Sequence, residues 1–215
     1  MAHTSLENTE LIVQTLGKIA IENRKYFSEL DGVVGDGDFG TSLATGFEAV
    51  VVQKWADLNR SNPGTFLKDV AQVIMSNVGG VSGSIWGTAF LRAGVTSGDK
   101  QELKSEDVIN MLRAAAEGMK KRGKSDLGDK TLLDAFIPAA DEFEKVLQNG
   151  GTIEEALKSA AQVARQKTEE IKPWIAKRGR ASYTGERSCN TYDAGSIAIA
   201  TMAEKVAEVW EKNSA

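Results

Sequence analysis

The sequence predicts an all-α fold, an up-and-down bundle or barrel of eight antiparallel helices. Three observations carry this. Apolar residues recur at helical spacing through long, alanine-rich segments; no stretch alternates as a strand would; and the segments are joined by short loops rich in glycine. The first helix is expected from Ser5 to Glu29, with Leu11, Ile12, Leu16, Ile19 and Ile21 along its apolar side. The second spans Thr41 to Asn59, with Leu43, Phe47, Val50, Val51 and Trp55 inward, and Pro63-Gly64 closes that unit. The third covers Phe66 to Val78 and the fourth Ser82 to Val95. The fifth runs from Ser105 to Lys121, and the sixth from Lys130 to Gln148, ended by Asn149-Gly150-Gly151. Thr152-Ile-Glu-Glu155 has capping-box spacing and opens the seventh helix, which continues to Ile171 before Pro173; the eighth spans Ala194 to Lys212.

In strict up-and-down alternation, the loops after helices one, three, five and seven fall at the same end. These are residues 31–40, 79–84, 123–131 and 176–196, the four loops that combine glycine with polar or charged groups. The unusual chemistry is therefore expected at one rim, with plain turns at the other. Arg122-Gly-Lys-Ser-Asp-Leu-Gly-Asp-Lys-Thr131 and Arg178-Gly-Arg-Ala-Ser-Tyr-Thr-Gly-Glu-Arg-Ser188 echo one another in this set.

The most informative loop is Leu30-Asp-Gly-Val-Val-Gly-Asp-Gly-Asp-Phe-Gly40. Asp31, Asp36 and Asp38 crowd together with no Lys or Arg between Lys25 and Lys54, and mutual repulsion calls for a cation. Oxygen-only ligands suit a hard divalent ion, Mg²⁺ before Ca²⁺, and magnesium completes its shell with waters and substrate phosphates. Helix capping would use one aspartate and leave two unexplained. A calcium domain fits poorly, because the loop lacks EF-hand spacing and its closing Glu. Gly40-Thr41-Ser42 and Gly79-Gly80-Val81-Ser82-Gly83-Ser84 each open a helix, where free N–H groups suit phosphate. Arg178, Arg180, Arg187 and Lys130 are candidate phosphate cations, each weighed against an ordinary solvated charge. Trp86, Phe90, Phe136 and Trp210 read as packing, and Trp174 as core or rim.

Composition bounds the rest. The 215 residues suit a single domain, residues 1–215; hydrophobic content is 41%, charged content 26% and net charge −4, which argues against a nucleic-acid surface. Cys189 is the sole cysteine and has no histidine partner, and His3 is the sole histidine, at the N-terminus. No run approaches a membrane span, and the first residues lack signal-peptide character, so a cytoplasmic location is expected.

Gly-Asp-Gly-Asp-Phe-Gly, Val-Gly-Gly-Val-Ser-Gly, Gly-Asp-Lys-Thr and Gly-Arg-Ala-Ser-Tyr-Thr-Gly-Glu-Arg-Ser, in this order, resemble the L subunit of dihydroxyacetone kinases over Leu11 to Val206. The resemblance implies a barrel of eight antiparallel helices with an adenine nucleotide, ATP or ADP, at one rim. By it, Asp31, Asp36 and Asp38 hold two Mg²⁺ ions. Phe39, Gly40, Thr41, Ser42, Val81, Ser82 and Arg180 meet phosphates. Gly123, Leu132 and the Asp193-Ala194-Gly195 turn form the nucleotide pocket. A homodimer is expected, with the ketose held on a separate K subunit. The family's phosphotransferase-system branch usually has His where Phe39 stands and Ala at Gly37, and Ala194 stands where a proline is common in the family; the free-standing length matches that branch, while Gly-Asp-Gly-Asp before Gly-Thr is closer to the ATP-dependent branch. The resulting expectation is a small-ketose kinase subunit using exchangeable ATP. One alternative is a phosphotransferase-system relay with permanently held ADP, rephosphorylated by a donor protein. Another, of a different class, is a non-catalytic nucleotide-binding regulatory module.

Overall fold

The computed structural model describes residues 3–214, and every regular element among them is helical. Nine α-helices follow in order: α1 (Ser5–Glu22), α2 (Arg24–Gly32), α3 (Phe39–Glu48), α4 (Pro63–Asn77), α5 (Gly80–Ser97), α6 (Ser105–Gly123), α7 (Leu133–Gln148), α8 (Ile153–Ile171) and α9 (Ala194–Ser214). Helices adjacent in the chain pack together from α3 through α9, and α9 returns to pack on α1 and α2. The sequence-level expectation of a barrel reduces to this succession of neighbours.

The expected first helix is two. Asn23 leaves helical geometry at φ −98° and ψ 13°, and its side-chain amide donates to the Ile19 carbonyl at 3.0 Å, closing α1 while α2 restarts at Arg24. α2 then runs three residues past the expected end, so Asp31 lies in its last turn rather than in a loop. The expected second helix is regular only to Glu48. A π-helical turn at Ala49–Gln53 and a 3₁₀ turn at Trp55–Asp57 replace its end. Pro63-Gly64 opens α4 instead of closing what precedes it. The Asn62 side chain accepts from the Thr65 N–H at 2.7 Å, and proline at the first helical position gives up an N–H that has no partner there. α7 starts at Leu133, three residues after the expected Lys130, which adopts φ +61° and cannot be helical. The capping box at Thr152 is present as expected: Thr152 Oγ1 accepts from the Glu155 N–H at 3.1 Å, and Glu155 accepts from the Thr152 N–H at 2.8 Å.

The main core joins Phe27, Leu43, Phe47, Phe66, Val70, Ile74, Trp86, Ile197 and Met202. Phe47 meets Trp86 and Phe90 edge to face at 6.0 and 5.9 Å. Each buried aromatic or large aliphatic side chain stabilises by roughly 1.5–3 kcal/mol. A second cluster places Ala156, Ala160 and Ala164 of α8 against Phe143 and Ala200, and the small side chains let α7, α8 and α9 approach closely. Trp86, Phe90 and Phe136 pack as expected; Trp210 is half-buried outside both clusters. No helix among the described residues is long and apolar enough to cross a membrane.

Candidate functional site

A cavity of about 510 Å³ opens at one end of the helices. Its wall is drawn from all four glycine-rich loops: Asp31 to Ser42, Gly79 to Ile85, Met119 to Leu133, and Ala176 to Gly195. The convergence expected from counting alternating helices is therefore present.

The acidic end is built by α2 and α3. The α2 C-terminus presents Asp31, and the turn through Gly37 (φ +75°) brings Asp36 and Asp38 back beside it. One oxygen of each carboxylate lies within 4.8 Å of those of the other two. Gly35 lies directly over Asp31, where an added Cβ would sit 2.3 Å from Asp31 Oδ1. Asp31 Oδ2 accepts from the Phe39 N–H at 3.3 Å. Burial pushes the Asp31 carboxyl above its usual range, and the charges of Asp36 and Asp38 add to the rise. The Arg180 guanidinium contacts Asp36, and its Nη1 lies 2.9 Å from Asp38 Oδ2. At Asp36, desolvation works upward, but Arg180 outweighs it and holds the carboxyl below its usual range. Three oxygen donors so closely grouped fit a hard divalent ion.

The other wall is apolar. Leu30, Val34, Ile85, Met119, Leu132 and Leu133 line it. Phe39 turns its ring toward Phe27, 6.3 Å between centroids, and so anchors the acidic loop in the core while facing the cavity. Leu132 and Gly195 are in close contact: a Cβ on Gly195 would lie 3.0 Å from Leu132 Cβ.

Of the site residues expected from sequence, Asp31, Asp38, Phe39, Ser42, Val81, Ser82, Gly123, Leu132, Arg180, Asp193, Ala194 and Gly195 share the cavity wall. Asp36 joins them through Arg180. Gly40 and Thr41 lie off the wall: Gly40 is buried against α2, and the Thr41 N–H donates to Ser28 Oγ at 3.2 Å. Arg178 lines the cavity and Arg187 does not. Lys130 is the clear departure. It lines the cavity, but the residue is only 3% exposed and its ammonium donates to the carbonyls of Lys172, Trp174 and Ser188, leaving no proton for a phosphate. Ile85, Met119, Thr131 and Tyr192 also form the wall; in sequence their apolar or hydroxyl character gave no signal beyond packing.

Asp193 caps α9, accepting from the Ser196 N–H at 2.6 Å. Burial pushes its carboxyl up to about 7, helped by the negative charges of Asp134 and Asp31 and opposed by Lys130. An unfolded aspartate titrates near about 3.9. The folded-state value is raised, so Asp193's stabilising contribution is full below about pH 4 and is lost as pH rises through about 7. Asp193→Asn keeps the cap without the charge. Its stability relative to the native chain should therefore increase from pH 5 to pH 8. Denaturant midpoints at the two pH values measure this, and an equal difference at both would contradict a burial-raised carboxyl.

Comparison with known proteins places the chain closely. The DAK2 domain matches residues 33–208. The ADP-binding subunit of a PEP-dependent dihydroxyacetone kinase from Escherichia coli (strain K12) is 32% identical over 205 residues, 94% of this chain and 97% of that protein. The ADP-binding subunit of a PTS-dependent dihydroxyacetone kinase from Lactococcus lactis subsp. lactis (strain IL1403) is 33% identical over 188 residues, 87% of this chain and 89% of that one. Among solved structures, the dihydroxyacetone kinase from C. freundii in complex with AMP-PNP and Mg2+ superposes with a TM-score of 0.69 at 24% identity. It covers 95% of this chain and 33% of that one, and shows a shared fold.

Proposed function

This chain belongs to the DAK2 domain family of dihydroxyacetone kinases, and we propose that it is the subunit that holds an adenine nucleotide in a phosphoryl relay. A phosphotransferase-system protein supplies the phosphoryl group, and a small ketose on a separate K subunit receives it. The observation that carries the reading is the cavity itself, with three grouped carboxylates at one end and an apolar wall at the other. Its 510 Å³ lies within the range of small-ligand sites. The relay is favoured over exchangeable ATP because the near-full-length relatives are named as ADP-binding subunits of PEP- or PTS-dependent kinases. Phe39 offers no counterweight, since its ring is accounted for by packing on Phe27.

Asp31, Asp36 and Asp38 would hold Mg²⁺, which when bound neutralises phosphate charge. The chain's own residues do the remainder. The apolar wall takes the base, and the open start of α5, where no atom lies within 4 Å of a Cβ on Gly79 or Gly80, admits phosphate oxygens to backbone N–H groups. Arg180, already at the carboxylates, supplies a positive charge beside them. Exposed Val33, Val81, Leu127, Trp174, Ile175 and Tyr183 stand on or beside the same four loops, an apolar surface suited to the K subunit.

Ligand-dependent melting tests the site. A ligand bound only to the native state stabilises by about 2.7 kcal/mol at a hundredfold excess over Kd. For a chain of this size that is a rise in Tm of roughly 5–11 °C. In the chain stripped of nucleotide the rise should require ADP and Mg²⁺ together; no rise with both present would contradict the nucleotide site.

A further inference from the structure

The segment from Ala176 to Ser188 is a loop closed at its neck. Ala176 N–H donates to Ser188 Oγ at 2.9 Å, and Lys177 N–H donates to the Asp129 carbonyl at 3.0 Å. Lys130, one residue on, sends its ammonium between the two sides of the neck. It bonds the Lys172 and Trp174 carbonyls on one side, each at 2.8 Å, and the Ser188 carbonyl on the other, at 2.6 Å. Three donors meet three acceptors in a buried position. Inside the loop, Gly179 (φ +68°) and Gly185 (φ +56°) break the backbone's regularity, and Tyr183 at the tip is 89% exposed. The loop is thus fixed at its base and open at its tip, and Arg180, between the two, lies against Asp36 and Asp38.

We propose that Lys130 is a positioning residue: by pinning both sides of this neck it sets where Arg180 stands over the carboxylates. A methionine would fill the same volume, so packing does not explain a buried ammonium. Charge-assisted bonds to three carbonyls from both sides of the neck do, because they fix the geometry of the loop between.

The test compares Lys130→Met, Arg180→Gln and the double variant. Hydrogen exchange of residues 176–188 is read first, in the full chain, and stands whether or not the chain transfers phosphate. Lys130→Met should speed exchange there by about tenfold or more while α1 and α4 are unchanged; unchanged exchange at the neck overturns the proposal. The second reading rests on the relay function and uses the complete kinase with its K subunit and donor protein. Lys130→Met should lower kcat by on the order of 10²-fold, with little change in KM for the K subunit. Arg180→Gln should lower kcat comparably, and the double variant should lose no more than the worse single one. Losses that multiply would show Lys130 acting independently of Arg180, overturning the proposal; absence of transfer in the native chain would instead count against the relay. If Lys130→Met does not fold, Lys130→Gln, whose amide offers two N–H donors to the three carbonyls in place of three, should give the same pattern with a smaller loss. Unchanged exchange at the neck in that variant also overturns the proposal.

Discussion

Replacing Asp38 by Asn should lower phosphoryl transfer by about 10²–10³-fold, the range seen when one preorganised charge-stabilising group is removed. The fold should hardly register the change. Asp38 is exposed, its surface ion pair with Arg180 at 2.9 Å offsets repulsion from the other two carboxylates, and a surface substitution of this kind stays within about 0.5 kcal/mol. Loss of activity with intact helix content separates a functional carboxylate from a structural one. The same variant should lose the melting rise given by Mg²⁺ with ADP. Activity assays and circular dichroism on one preparation check both, and native-level transfer by Asp38→Asn would remove the metal assignment.

Gly40→Ala should be the most damaging single-methyl change near the site, for a reason unrelated to phosphate. An added Cβ would lie 2.0 Å from the Arg24 carbonyl oxygen and 2.6 Å from the Ser28 nitrogen. Both are backbone atoms of α2, so relief requires α2 and α3 to separate. Overpacking of this kind costs about 1–3 kcal/mol, or roughly 2–12 °C in Tm for a chain of this length. Because Asp31 is in α2 and Phe39 begins α3, separation also spreads the carboxylates. Thermal melting should show the drop, and nucleotide affinity should fall with it. A variant that melts like the native chain would contradict so close an α2–α3 contact.

These two residues show what the sequence could and could not reveal. The carboxylates were legible because charge repulsion without a basic neighbour is a local anomaly. Gly40 invited a phosphate role, since glycine before a helix suits both anion binding and close packing, and only the position of α2 decides between them. Local chemistry is legible elsewhere: the Thr152 capping box and the gathering of four loops at one end follow from spacing and alternation. Asn23 was missed because a single side-chain amide, bonded back to Ile19, interrupts an otherwise continuous apolar pattern. Pro63 opens α4 rather than closing the preceding unit, an ambiguity inherent in proline, which suits the start of one helix as well as the end of another. Lys130 reads in sequence as a candidate phosphate cation, weighed against a solvated charge, because its three carbonyl partners lie 42 or more residues away along the chain. Ile85 and Met119 share the spacing of ordinary core positions, so their place on the cavity wall depended on the packing of α5 and α6.

The central claim, a nucleotide held rather than exchanged, has one direct measurement. The purified chain is desalted and denatured, the released nucleotide is quantified, and ATP alone is then offered as donor with the K subunit and ketose. The relay predicts close to one ADP per chain and no turnover on ATP until a phosphotransferase-system donor is added. A chain that releases no nucleotide and turns over on ATP alone would contradict it.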